Sequence, residues 1–251
     1  MEDKKQMNVY LYVILLTSVA ALILSLLYTS FNPRFVANKA AAKRKAILSC
    51  IPLELDLTND VSINQLYEKV QMIAINMNGD TMTLDNVNAS ASGGAKPYRT
   101  LEELDLANEE KKAEETRAYP VYKYTDNDKS YYVVAIRGDG LWDKIWAYIA
   151  LESDLNTIAG VYFDHKAETP GLGAEIKDSD DFKKQFIGKK VFNMNSVAVA
   201  VIKMAPPAGD PHRVKGISGA TITSDGVTDM FVDGMVNYDT YFEFLRSQKK
   251  S

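Results

Sequence analysis

The sequence predicts an α+β protein: a single N-terminal transmembrane helix, then a soluble domain with a mostly antiparallel sheet and a C-terminal helix. Three observations lead there. Residues Asn8–Ser30 carry no charged side chain. The runs Tyr131–Arg137, Lys144–Glu152 and Ile158–Phe163 are rich in β-branched and aromatic residues. Near the end, Val227, Met230, Phe231, Gly234, Met235, Tyr238, Tyr241, Phe242 and Leu245 recur at helical spacing and share one face.

A bilayer core of roughly 30 Å takes about 20 helical residues, so the first segment is long enough to span it. Tyr10, Tyr12 and Tyr28 stand near its ends, where amphipathic rings favour the interface. The alternative is a cleaved signal peptide, with a shorter apolar run and a small-residue cleavage site that is not evident here. Lys4 and Lys5 precede the span; Arg34, Lys39, Lys43, Arg44 and Lys45 follow it. That bias alone would keep the rest of the chain cytoplasmic, although long domains are exported largely regardless of it. Past Pro33, the basic, Ala-rich stretch Val36–Leu48 is expected to form a short helix of its own.

Ile51–Asp85 is mixed and weakly periodic. Asn86–Ala95 is small and polar and reads as a loop. Leu101–Arg117, crowded with Glu and Lys, reads as a solvated helix. Strands begin near Tyr119, with Gly138, Gly140 and Gly160 marking turns. A helix over Asp180–Ile187, favoured at its start by Asp178, Asp180 and Asp181, precedes a fourth strand, Val197–Met204, and the terminal helix. Trp146 is expected in the core. The chain therefore divides into a tail and transmembrane helix (1–33), a basic helix with a linker or accessory region (34–119), and a domain over 120–251.

Composition excludes several classes of function. A net charge of −4 and a pI near 5.4, without a Lys/Arg stripe, argue against nucleic acid. One cysteine, Cys50, and two histidines, His165 and His212, cannot build a Cys-ligated iron–sulfur cluster or a Cys/His zinc site. No metal site is expected, and neither histidine is assigned a role. C-x-x-C-H, G-x-G-x-x-G and Walker patterns are absent. Electron transfer by such a chain would need an organic cofactor.

Three strings carry the chemistry. Ser218-Gly219-Ala220-Thr221-Ile222-Thr223 stands just before the terminal helix. Its small residues let a bulky group approach the backbone, and the unpaired N–H groups of a helix start attract phosphate. The same residues would also serve as an ordinary helix cap. Glu168-Thr169-Pro170-Gly171-Leu172-Gly173 is a rigid loop that could lie against a flat ring, or a plain turn. Gly138-Asp139-Gly140-Leu141-Trp142 is a turn whose Trp142 could stack on a ring or fill the core. Lys203, ending the fourth strand, would either neutralise a phosphate or be a surface lysine.

In this order, behind one span, the strings resemble the FMN-binding domain family that the Na⁺-translocating NADH:quinone reductase, in its C subunit, shares with the Rnf complex. The similarity covers the span and about Pro120 to Arg246. The family's flavinylation motif, SGAT followed by x-T/S, places its threonine at Thr221, its E-T-P-G-L-G loop at Glu168–Gly173 and its G-x-G-L-W turn at Gly138–Trp142. One departure is Lys215, where the motif often has an acidic residue that the flavin transferase would read. The stretch of 69 residues from Ile51 to Tyr119 is longer than expected of the Rnf relative and favours the Na⁺-pumping complex.

The resemblance implies FMN joined by a phosphoester to Thr221, left there by a flavin transferase that uses FAD. It implies Ser218, Gly219, Ala220, Thr223, Leu141, Trp142, Glu168, Thr169, Leu172, Gly173 and Lys203 as cofactor-binding residues, with no catalytic residue of the chain's own. The chain would be an electron carrier of the inner membrane, its domain periplasmic, passing electrons from an iron–sulfur subunit to a second FMN subunit. The alternatives are an Rnf-type carrier and an anchored binding or assembly domain without cofactor. Cys50 is expected to report the domain's side of the membrane by thiol labelling, if it is exposed.

Overall fold

The computed structural model describes residues 2–91, 93–127, 129–194 and 196–249. The chain divides into a unit over Met1–Lys43 and a compact unit over Arg44–Ser251. Helix α1 runs over Glu2–Ser49 with Pro33 inside it, so Val36–Leu48 is not a helix of its own. A proline removes one N–H donor and crowds one carbonyl; the alanines at 37 and 40–42 are the strongest helix formers and carry the helix on. The segment from Asn8 is long and apolar enough to cross a membrane.

In the second unit, α2 (Asp60–Tyr67), β1 (Val70–Ile75), β2 (Thr81–Met82) and α3 (Leu84–Ala89) occupy the weakly periodic region. The expected loop at Asn86 therefore begins as helix, capped by the Thr83 hydroxyl. Leu101–Arg117 is not one helix but a short α4 (Leu106–Glu109) between two 3₁₀ turns. Its charges are not all solvated. The buried Glu109 carboxylate meets Lys112 Nζ at 2.9 Å and accepts from Tyr98 Oη at 2.8 Å and the Ala118 N–H at 2.7 Å. Lys112 also donates to the Val87 carbonyl at 2.8 Å. These bonds fold the segment back on itself.

Strands β3 (Tyr119–Asp126), β4 (Lys129–Asp139), β5 (Lys144–Leu151) and β6 (Ile158–His165) form an antiparallel meander. With β1 and β2 they make a six-stranded sheet of order β2-β1-β3-β4-β5-β6. Beyond it come α5 (Glu175–Asp178), α6 (Asp180–Lys184), β7 (Phe192–Asn193), β8 (Ser196–Val197), β9 (Ala200–Ile202), β10 (Arg213–Lys215) and α7 (Thr221–Gln248). The expected fourth strand is thus two short pieces outside the main sheet, with β9 pairing parallel to β10.

Strand alternation sorts side chains onto two covered faces. Tyr132, Val134, Ile136, Ile145, Ala147 and Ile149 meet Val227, Met230, Phe231, Met235, Tyr238 and Phe242 of α7. Val133, Tyr122, Tyr124 and Ala150 meet Ile47, Leu48, Cys50, Ile51 and Ile63. Each large apolar side chain so buried contributes about 1.5–3 kcal/mol. Trp146 falls on the second face and is only half-buried, because its neighbours there, unlike those of Ile145, do not enclose it. Glycines set the closest approaches. A Cβ at Gly160 would lie 2.1 Å from the Cys50 carbonyl, and one at Gly234 2.6 Å from Ile136. The β3–β4 pairing ends at Val121, one residue short of Pro120, which has no N–H to donate; the Ala135 carbonyl accepts from Tyr238 Oη at 2.6 Å.

Cys50 is buried, its thiol donating to the carbonyls of Ala46 and Tyr148 at 3.2 and 3.3 Å. Burial pushes its pKa well up, so it will not serve as a labelling site. For the accessory segment, Glu109→Ala leaves the Lys112 ammonium buried without its partner. Urea unfolding of the detergent-solubilised chain is expected to show a loss of about 3–5 kcal/mol.

Candidate functional site

Helix α7 crosses β4 so closely that backbone meets backbone. A Cβ at Gly226 would lie 2.2 Å from the Asp139 carbonyl, and one at Gly138 2.7 Å from Met230 Cβ. The start of α7 is thereby held against the β4–β5 turn, residues 139–143. This is the junction at which the three strings meet.

Glu168 joins them. Its carboxylate is buried, 4% exposed. Oε1 accepts from the Trp142 backbone N–H at 3.0 Å, and Oε2 accepts from Thr223 Oγ1 at 2.6 Å. Glu168's own N–H donates to His165 Nδ1 at 3.1 Å. The glycines of two strings leave room for this carboxylate. A Cβ at Gly140 would stand 2.5 Å from Oε1; one at Gly173 would stand 2.2 Å from Oε2 and 2.6 Å from Thr223 Oγ1. Gly171 is there for a different reason, its left-handed φ of 75°. The loop closes through N–H groups of Leu172 and Ala174 on the Thr169 carbonyl, both at 3.1 Å.

Above the carboxylate, the surface is apolar and open. Trp142 is 67% exposed, with Leu141, Leu172 and Ile222 also exposed. The Trp142 indole is oriented by Nε1 donating to Thr169 Oγ1 at 3.0 Å. Leu172 lies against Gly219, whose φ is 79° and whose Cβ would fall 2.9 Å from Leu172 Cδ2. Trp142 is therefore no core residue; it stands in a turn, not in β5.

The helix start itself is uncapped. The cap position is Ala220, at φ −121° and ψ 46°, without a side-chain hydrogen bond, and Thr221 is the first helical residue. Thr221 does not act as the cap. Its side chain is exposed, and Gly219 is exposed beside it, whereas Thr223 is buried beneath them. Among the described residues, the N–H groups of Thr221, Ile222 and Thr223 have no acceptor. The loop before them is fixed by Ser224 Oγ accepting the Ile217 N–H at 3.2 Å. Gln185 holds Lys215 by its backbone, through bonds of 2.9 and 3.2 Å.

Among the residues expected in the site, those at 141–142, 168–173 and 218–223 come together. Lys203 follows β9, where the Gly216 N–H meets the Ile202 carbonyl at 2.8 Å, which brings it next to the strand leading to Ser218. Among the described residues no hydrogen bond or ion pair joins it to the cluster. His165, given no role from sequence, is a hydrogen-bond acceptor for the central loop; nothing in its sequence context signals that. His212 is remote, its Nδ1 on the Lys190 carbonyl at 2.8 Å.

The arrangement offers an exposed primary contact for a phosphate: a hydroxyl on the first helical residue, open N–H groups and the positive end of a 28-residue helix. Beside it lies an apolar surface on which a flat ring could stack, worth about 0.5–1.5 kcal/mol for aromatic pairs beyond area burial. These residues fit an FMN.

Comparison with known proteins agrees in kind. The FMN-binding domain family matches residues 140–235. The C subunit of the Na(+)-translocating NADH-quinone reductase of Vibrio anguillarum is 36% identical over 156 residues, 62% of this chain and 60% of that protein. The chain's match thus spans less than two thirds of that relative. The corresponding protein of Haemophilus ducreyi is 31% identical over 87% of this chain and 85% of its own length. The crystal structure of the same subunit from Parabacteroides distasonis superposes with a TM-score of 0.66 at 30% identity, covering 82% of this chain and 93% of that one.

Gly173→Ala drives a methyl group into both partners of the Glu168–Thr223 bond. Overpacking of this kind is expected to cost about 1–3 kcal/mol, read as a lowered Tm, whereas Gly94→Ala, with open space around it but a φ of 84°, tests backbone strain alone.

Proposed function

The chain belongs to the family formed by the C subunit of the Na(+)-translocating NADH-quinone reductase, and on that premise we propose that it is an electron-carrying subunit of such a complex, holding FMN through a phosphoester to the Thr221 hydroxyl. The observation that carries this reading is the start of α7. Helices favour a side-chain cap at this position; this one has Ala220 there, an exposed Thr221, and three N–H groups without an acceptor among the described residues.

When bound, FMN supplies reversible one- and two-electron chemistry. The chain's residues supply the rest. Thr221 Oγ1 carries the phosphate. The α7 N–H groups and helix dipole offset its charge, an effect of about 0.3–1 kcal/mol at an exposed helix end. Leu141, Trp142, Thr169, Leu172 and Gly173 would line the ring, and Ser218, Gly219 and Ala220 keep the approach to Thr221 narrow. Lys203, just after β9, would add a positive charge on the phosphate side only if its side chain reaches that far. No residue of the chain needs to act as acid, base or nucleophile toward a substrate.

The partners in this reading are a flavin transferase that modifies Thr221 and the neighbouring iron–sulfur and flavin subunits that exchange electrons with it. The long apolar helix anchors it in the inner membrane, with the domain periplasmic, on the side where the transferase would meet it.

Co-expression with a flavin transferase tests the attachment. Intact mass and in-gel fluorescence are expected to show covalent flavin on the native chain and none on Thr221→Ala; a fluorescent Thr221→Ala band overturns the assignment. For orientation, the exposed turn between β1 and β2 offers a reporter that Cys50 does not. Asn78→Cys is expected to react with a membrane-impermeant maleimide once the outer membrane is permeabilised, while the native chain stays unlabelled. Labelling only after detergent lysis would put the domain in the cytoplasm.

A further inference from the structure

We propose that Glu168 and Thr223 are positioning residues, which lock the acceptor threonine and the Trp142 ring into one fixed arrangement before any cofactor arrives. The proposal rests on the reading of Thr221 as the flavin carrier, and deepens it.

Both residues lie within sequence strings that would be taken for ligand contacts, yet neither is at the surface where a ligand would lie. Thr223 is 1% exposed. Its hydroxyl points down, away from the exposed Thr221 two residues earlier, into Oε2 of Glu168. The other oxygen holds the backbone of Trp142. A single carboxylate thus ties together segments 26 and 55 residues away from it in sequence. A carboxylate acceptor makes such bonds shorter and roughly twice as strong as neutral ones, in keeping with the 2.6 Å separation.

The charge is expensive to bury, and among the described residues no ion pair involves Glu168. Charged groups on the packed elements pair with one another instead: Asp143 with Lys166 at 2.8 Å, Asp139 with Lys144 at 2.7 Å, and Asp164 with Lys177 at 2.8 Å. Two glycines are given up to make room for the carboxylate, and His165 fixes the backbone from which it projects. A buried carboxylate held by two other segments makes sense if its job is to set their separation from its own loop. Leu172 and Gly219 touch over the top of the same junction, so the floor and the rim of the site are set together.

The chemistry explains why the third residue after the motif's alanine carries a hydroxyl. Serine or threonine there can donate to Oε2; valine has the shape of threonine without the donor, and would leave the carboxylate oxygen buried and unpaired.

The test uses the full chain in detergent, prepared with and without a flavin transferase, as native protein and as Glu168→Ala, Thr223→Val and Thr223→Ser. In the cofactor-free chain, hydrogen exchange of the Trp142 backbone amide is expected to quicken about tenfold in Glu168→Ala, the factor that loss of one hydrogen bond of about 1.4 kcal/mol gives. In the modified chain, Thr223→Val is expected to keep its covalent flavin but show altered visible circular dichroism and a shifted midpoint potential, both returned to native values in Thr223→Ser. Unchanged exchange in Glu168→Ala, or native dichroism and potential in Thr223→Val, overturns the proposal. Should Glu168→Ala fail to fold, the valine and serine variants at 223 decide alone. A native chain that takes up no flavin at Thr221 overturns the reading of the carrier instead, and the exchange measurement then still decides the lock.

Discussion

The close crossing of α7 over β4 is the contact on which the rest of this domain depends. Gly226 and Gly234 on the helix, and Gly138 on the strand, let the two approach until these glycines lie directly against the Asp139 carbonyl, Ile136 and Met230. A helix packed through larger side chains at these positions would stand farther off the strand, and its first turn would clear the β4–β5 turn. Here that turn is pressed against the helix start, so a buried carboxylate can reach both. The apolar face of α7 and the first face of the sheet then provide the burial that holds the crossing in place.

Much of this was legible in the sequence. The meander of β3 to β6 shows in alternating β-branched and aromatic residues, and α7 in the spacing from Val227 to Leu245, because both patterns come from one-sided burial. The three functional strings were visible as glycine-rich turns. Their convergence was not, since it is a property of packing across long sequence separations. Nor was the direction in which Glu168 and Thr223 point: an acidic residue and a threonine in a binding motif look like ligand contacts until their burial is known. The resemblance to a flavoprotein family supplied what the residues alone left undecided, the choice between a cofactor site and an ordinary helix cap.

The segment before the meander was the least readable. Val70–Ile75 joins the sheet between β2 and β3, but its neighbours are short helices and turns capped by side-chain hydrogen bonds rather than set by a long periodic apolar face. Leu101–Arg117 has the composition of a solvated helix, and the burial of Glu109 and Lys112 depends on Tyr98, Val87 and Ala118, which sequence distance hides. Likewise, the strand expected at Val197–Met204 breaks in two because β9 finds its partner in β10.

Thr221 stands at the first position of a helix whose buried face runs from Thr223 to Phe242. A group joined to that residue is carried by a long helix packed along its buried face, not by a loop. Electron transfer through space slows steeply as the gap widens, so a carrier on a swinging tether would pass electrons at rates set by its rare close approaches. Fixed to this helix, a redox group would instead present the same gap to each neighbour on every turnover, and any large change in that gap would have to come from movement of the whole domain.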